Sequence, residues 1–147
     1  MKKSSGGFTL IEILLSLSII MILTGLSLPI YAAYNNRSNL DIATQTVAET
    51  YRRAEAYSRA AKNDSGWGVH IQSESITLFK GTVYTSRDTA FDDLNTLPPS
   101  ITPSGLADIY FTEVTGTPNT AGTTTLTLTG TNEARTINVS TTGMVTY

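Results

Sequence analysis

The sequence predicts an α+β fold: a long N-terminal helix, one half suited to membrane and assembly and one half amphipathic, packed on a C-terminal antiparallel β-rich domain. Three observations predict it. Apolar residues are concentrated in one block from Phe8 to Tyr34. A stretch free of glycine and proline follows, from Asn39 to Lys62, with apolar residues every three or four positions. The remainder is rich in threonine, and its apolar and hydroxyl residues alternate as they do in strands with one buried face. The chain has 147 residues, 40% of them hydrophobic, and a formal net charge of -2. That is enough for one modest domain. There is no cysteine, which excludes a disulfide framework and a thiolate metal site.

The elements follow in order as a leader at 1–7, an apolar helix at 8–34, an amphipathic helix at 35–63 and a β-rich domain at 64–147. Lys2 and Lys3 precede the apolar block and, Glu12 aside, no charge appears until Arg37. This asymmetry keeps the amino end in the cytoplasm and sends the rest outward. Residues 13–34 are uncharged. As a helix they extend roughly 33 Å, against a hydrocarbon thickness of about 30 Å, so the segment is expected to span a bilayer. Glu12 is the exception, since an acid deep in a bilayer costs on the order of 3 kcal/mol. Either it stays hydrated at the headgroup level or it meets an opposite charge. Pro29 removes one helical hydrogen bond and is expected to kink or interrupt the helix, and Gly25 weakens the same stretch and permits close helix approach.

In the amphipathic stretch Leu40, Ala43, Val47, Tyr51, Ala54, Ser58 and Ala61 share one face. Glu49 with Arg53 and Glu55 with Arg59 are spaced for i,i+4 ion pairs. Ser38-Asn39-Leu40-Asp41 is suited to cap a fresh start after Pro29, and Asn63-Asp64-Ser65-Gly66 to end the helix. Strands are expected at 67–72 and 75–79 around a turn at Ser73-Glu74, with 81–84 extending them. A polar loop is expected from about Thr85 to Gly105, then strands at 108–114, 124–129 and 136–140 and a last piece at 144–146.

The string Gly7-Phe8-Thr9-Leu10-Ile11-Glu12, after a short basic leader and before a long apolar helix, resembles the processing site of type IV prepilins. The resemblance implies a membrane peptidase that cuts between Gly7 and Phe8 and methylates the new amine of Phe8. Glu12 then becomes the fifth residue of the mature chain, and Pro29 falls where many pilins carry a kinking proline. The order of elements after the helix is similar to H-type pseudopilins and FimT-like minor pilins, which pack two antiparallel sheets near the end of the helix. The implied partners are the prepilin peptidase and methylase, other pilin subunits, an inner-membrane assembly platform, and the membrane itself before assembly. The implied location is the cytoplasmic membrane, then a filament outside it. An ordinary secretory signal fits less well, because Tyr31-Ala32-Ala33 puts tyrosine where a small residue is wanted. A plain signal anchor leaves the processing string unexplained.

Two functions follow. One is a structural subunit, a minor pilin or pseudopilin of a type IV pilus or a type II secretion pseudopilus, polymerised through its helix. The other is a minor pilin that binds DNA, a surface or a secreted cargo through its β domain. No enzyme is expected, since neither a nucleophile set, a phosphate loop nor a cofactor motif is present, and His70 is read as structural. Asp88, Asp92 and Asp93 lack the spacing of a calcium loop, so no metal is expected. Beyond Gly81 the only bases are Arg87 and Arg135, too few to replace many counterions, so nucleic acid is not an expected partner.

Overall fold

The computed structural model describes residues 7–131 and 133–147, and only the backbone of residues 26–30. The leader's Lys2 and Lys3 therefore lie outside the described residues. Two compact units are present, Met1–Asn35 and Asn36–Tyr147.

One helix, α1, runs from Leu10 to Arg59. The expected fresh start at Ser38 is absent: the loss of one hydrogen bond at a proline does not end a helix whose neighbouring turns keep theirs. In the second unit α1 buries Leu40, Ala43, Val47, Tyr51, Ala54 and Ser58, the expected stripe, together with Thr44, Ala48 and Thr50. The two threonines are tolerated because their hydroxyls donate to the carbonyls of Leu40 and Thr46, each at 2.7 Å. The helix stops at Arg59, earlier than the Asn63–Gly66 signal. Ala61, Asn63 and Asp64 take left-handed backbone in the turn that follows. Ala61 thus leaves the stripe.

Eight strands form two four-stranded antiparallel sheets. The first has the order β3-β2-β1-β5, from β1 (Trp67–Gln72), β2 (Ser75–Lys80), β3 (Asp93–Thr96) and β5 (Asp108–Phe111). The second has the order β4-β6-β7-β8, from β4 (Ile101–Gly105), β6 (Gly122–Leu128), β7 (Ala134–Val139) and β8 (Val145–Thr146). The expected extension at 81–84 is instead a turn leading into a 3-10 helix at Tyr84–Ser86, with a second at Thr89–Phe91. The expected loop 85–105 contains β3 and β4. Both are edge strands, paired on one side only, so neither needs the apolar alternation that marks an inner strand. That is also why β4 accommodates Pro103.

One core unites the second unit. Val69, Ile71, Ile76, Leu78, Ile109 and Phe111 from the first sheet and Leu126, Leu128, Ile137 and Val139 from the second meet the α1 stripe. Each such fully buried side chain contributes roughly 1.5–3 kcal/mol. A buried hydrogen bond of 2.7 Å joins the Tyr51 hydroxyl to Thr124 Oγ1 on β6. Burial pushes the Tyr51 phenol up to about 12, against a smaller opposing effect of that bond. Near the end of α1, Ser58 Oγ accepts the Trp67 N–H at 2.8 Å and the Ser58 carbonyl accepts the Val114 N–H at 2.8 Å. That second bond holds Val114 at φ 68°, a left-handed conformation that β-branched residues avoid.

Of the two expected ion pairs on α1, Glu55–Arg59 forms at 2.8 Å. Glu49–Arg53 does not, because Arg53 reaches Asp93 on β3 at 2.5 Å. Arg37–Glu133 and Arg135–Asp41, at 3.0 and 2.9 Å, add exposed links between α1 and the segment around β7.

Candidate assembly site

The start of α1 is set by Thr9. The Glu12 N–H donates to Thr9 Oγ1 at 3.3 Å and to the Thr9 carbonyl at 3.1 Å. Thr9 is thus the N-cap and Glu12 the third helical residue, the spacing of a capping box. The carboxylate of Glu12 also sits where the helix dipole favours negative charge. Thr9 was not singled out from the sequence, although Thr-x-x-Glu before an apolar run is the signal that finds it.

Gly7 and Phe8 precede the helix in extended chain, and Phe8 is 80% exposed. A side chain added at Gly7 would meet nothing within 4 Å. Among the described residues nothing covers the bond expected to be cut. Phe8, Glu12, Ile13, Ser16, Leu17 and Ile20 line one shallow cleft of about 260 Å³. Phe8 and Glu12 thus share a face, with Glu12 as its only charged group.

Beyond Glu12, the described side chains up to Thr24 are uncharged and mostly apolar. Successive helical residues point 100° apart, and the whole run Ile19–Leu23 is half exposed or more, with Met21 at 71%. The hydroxyls in the run turn inward. Ser16 Oγ donates to the Glu12 carbonyl at 2.8 Å, Ser18 Oγ to the Leu14 carbonyl at 2.7 Å, and Thr24 Oγ1 to the carbonyls of Ile20 and Met21. They therefore add no unpaired polar group to an apolar setting. An apolar surface of this extent requires a cover of similar chemistry.

Among the described residues no helix is long and apolar enough to cross a membrane. The first stretch with described side chains, residues 10–25, extends about 24 Å as a helix. The expected span 13–34 runs on through residues 26–30, beyond those side chains. Among the described residues nothing lies within 4 Å of where a side chain at Gly25 would start. The side chain of Pro29 lies outside the description.

The second unit has its own polar clusters. His70 Nδ1 lies 2.6 Å from Asp108 Oδ1, and the ring stacks on Tyr84. Lys62 sits over Tyr57 and Lys80 over Phe91, and neither has an acid within ion-pair distance. Arg53 and Lys62 together hold the Tyr57 phenol below the usual tyrosine range through hydrogen bonds. Arg53, expected to pair with Glu49 on α1, is here bound to Asp93 instead. Sequence spacing does not reveal such clusters, because each joins residues from different strands and turns. No metal-holding group of acids and histidines is present among the described residues.

The model of the prokaryotic N-terminal methylation motif matches residues 2–28. No curated protein sequence matches the chain. Among solved structures, the fold is similar to the minor pseudopilin EpsH from the type 2 secretion system of Vibrio cholerae, with a TM-score of 0.55. That similarity covers 74% of this chain and 94% of the other at 11% identity, so it is a likeness of fold. An apolar helix that carries the methylation motif thus continues into a two-sheet β domain. The motif and the fold together support a type IV pilin-like protein.

Proposed function

We propose that this chain is a structural subunit, a minor pilin or pseudopilin of a type IV pilus or a type II secretion pseudopilus. In this reading it waits in the cytoplasmic membrane, is cut between Gly7 and Phe8, is methylated on Phe8 and polymerises through α1. It works without catalysis of its own. The observation that carries the reading is the junction of a methylation motif with a helix that is apolar all round yet bears Glu12 in its first turn.

The physical logic is charge pairing. Cleavage creates an ammonium at Phe8, on the same face as Glu12 and a few ångströms of helix away. Within one chain Thr9 and the cap keep the carboxylate at the helix start. In a filament, Glu12 of an incoming subunit meets the Phe8 amine of its neighbour, while the apolar faces replace lipid with each other. Each buried charge is costly alone, and the pair recovers much of that cost.

Mass spectrometry of the amino terminus tests this directly. The expected mature chain begins at N-methylated Phe8. Gly7→Val is expected to leave the precursor uncut. The free chain has room for the valine at that position, so a defect reports on the peptidase. A mature terminus near Tyr34, or intact Met1 in assembled filaments, overturns the proposal.

A further inference from the structure

On the outer face of the first sheet, strand pairing puts His70 of β1 opposite Asp108 of β5. The 3-10 turn Tyr84–Ser86 folds over the pair. Tyr84 stacks on the imidazole with centroids 3.7 Å apart and planes 16° from parallel. The Arg87 guanidinium, itself held by Asp92, lies 3.7 Å from the Tyr84 centroid. Two groups that close cannot share one ring face, so both faces of Tyr84 are covered. Beside this stack opens a cleft of about 340 Å³. Val83 and Tyr110 help to wall it, Asp108 and Asn119 supply polar groups, and no lysine or arginine lines it.

We propose that this cleft binds a neutral sugar ring of a glycan. An anion finds a carboxylate there and no cation. A cation finds no free face on Tyr84, a guanidinium already on that ring, and a carboxylate whose Oδ1 is shared with His70. What fits is an uncharged ring with an apolar face and hydroxyls at its edge. Tyr110 and Val83 offer apolar contact. Asp108 Oδ2 accepts hydroxyl protons. Asn119 uses Oδ1 to accept the Tyr110 N–H at 2.9 Å, while its Nδ2 has only a 3.4 Å contact to Thr120 Oγ1 and remains a donor. The volume is near the lower bound of small-molecule pockets, about 300–1,000 Å³, which suits one or two sugar rings. Glycoside hydrolysis ordinarily needs a pair of carboxylates across the scissile bond, and Asp108 is the one acid lining the cleft. The cleft therefore binds and does not cleave. This site stands apart from polymerisation through α1, and its test does not depend on assembly.

The test uses the full chain in zwitterionic micelles free of glycosidic detergent. Saturation-transfer NMR is run with the methyl glycosides of glucose, galactose, mannose and N-acetylglucosamine. At least one is expected to bind with Kd of about 1–10 mM. Asp108→Asn should weaken that binding about tenfold, as loss of a charged hydrogen-bond acceptor does. Val83→Arg, at an exposed rim position that leaves the core intact, should abolish it. Leu94→Arg, on an exposed part of β3 away from the cleft, should leave it unchanged. Absence of transfer from all four glycosides at about 50 mM overturns the proposal. So does wild-type affinity in Val83→Arg or Asp108→Asn, or tighter binding of n-butylammonium than of any glycoside.

Discussion

The two ends of α1 share a backbone and differ in what surrounds them. From Leu10 to Gly25 the surface is open and, Glu12 aside, uncharged, with Leu10 77% exposed. From Leu40 to Ser58 one stripe is apolar and fully buried, and the other faces carry charge. The amphipathic end finds its partner within the chain, in the two sheets. Among the described residues the apolar end has no such burial, so covering it falls to other molecules. Hydrophobicity alone does not separate these cases. What separates them is whether it repeats with the helical period or ignores it.

Glu12→Gln is the strongest way to break the comparison. Glutamine also serves at the third position of a capping box, so the helix start is kept and only the charge is lost. Processing is expected to continue. Incorporation into filaments, measured against wild type in the same cells, should fall by about 10²- to 10³-fold, the cost of leaving a buried partner charge alone. Equal incorporation with normal processing would make Glu12 a hydrated surface residue.

A matched pair of truncations sharpens it. Leu40→Ala should destabilise the β-rich unit by about 2–5 kcal/mol, because it opens a cavity in the core. Leu14→Ala, on the open end of the same helix, should leave unfolding of that unit unchanged within about 0.5 kcal/mol. Chemical denaturation of the unassembled subunit reads both. Similar losses from the two would mean that the halves are not independent.

Alkaline unfolding probes the seam between α1 and β6. The folded pKa of Tyr51 is raised to about 12 from 10.0. Above pH 10 the unfolded state loses this proton while the folded state keeps it. The stabilisation is thus complete below pH 10 and disappears as pH rises toward 12, a loss of about 3 kcal/mol. Tyr51→Phe should flatten that part of the profile, and should lower stability at neutral pH by about 1 kcal/mol through the lost bond to Thr124. Identical slopes between pH 10 and 12 would contradict the assignment. A small gain is expected from Val114→Gly. The side chain is exposed and its backbone left-handed, so glycine should stabilise the fold by about 1 kcal/mol in the same denaturation assay.

The sequence revealed what periodicity carries. The α1 stripe, β6 and β7 bury one face, marked by a period of 3.6 or 2, while β1 and β2, buried on both faces in part, show as short apolar runs. It hid β3 and β4, whose residues Asp93, Asn95, Pro103 and Ser104 read as loop because an edge strand is half unpaired. It misplaced the caps, favouring Ser38 over Thr9, since both motifs have the right letters and only the hydrogen-bond ladder decides between them. The processing string at Gly7–Glu12 was legible as a linear motif. The His70–Asp108–Tyr84 stack was not, because its members are brought together only by sheet register.

The sheet margins carry a last consequence. β4 holds Pro103, β8 has two residues, and the rim of β5 is occupied by Asn119, which both donates to and accepts from Tyr110. Few backbone groups remain there to recruit a foreign strand. For a subunit that assembles through α1, as proposed, these three margins disfavour the other polymer open to it, a cross-β aggregate.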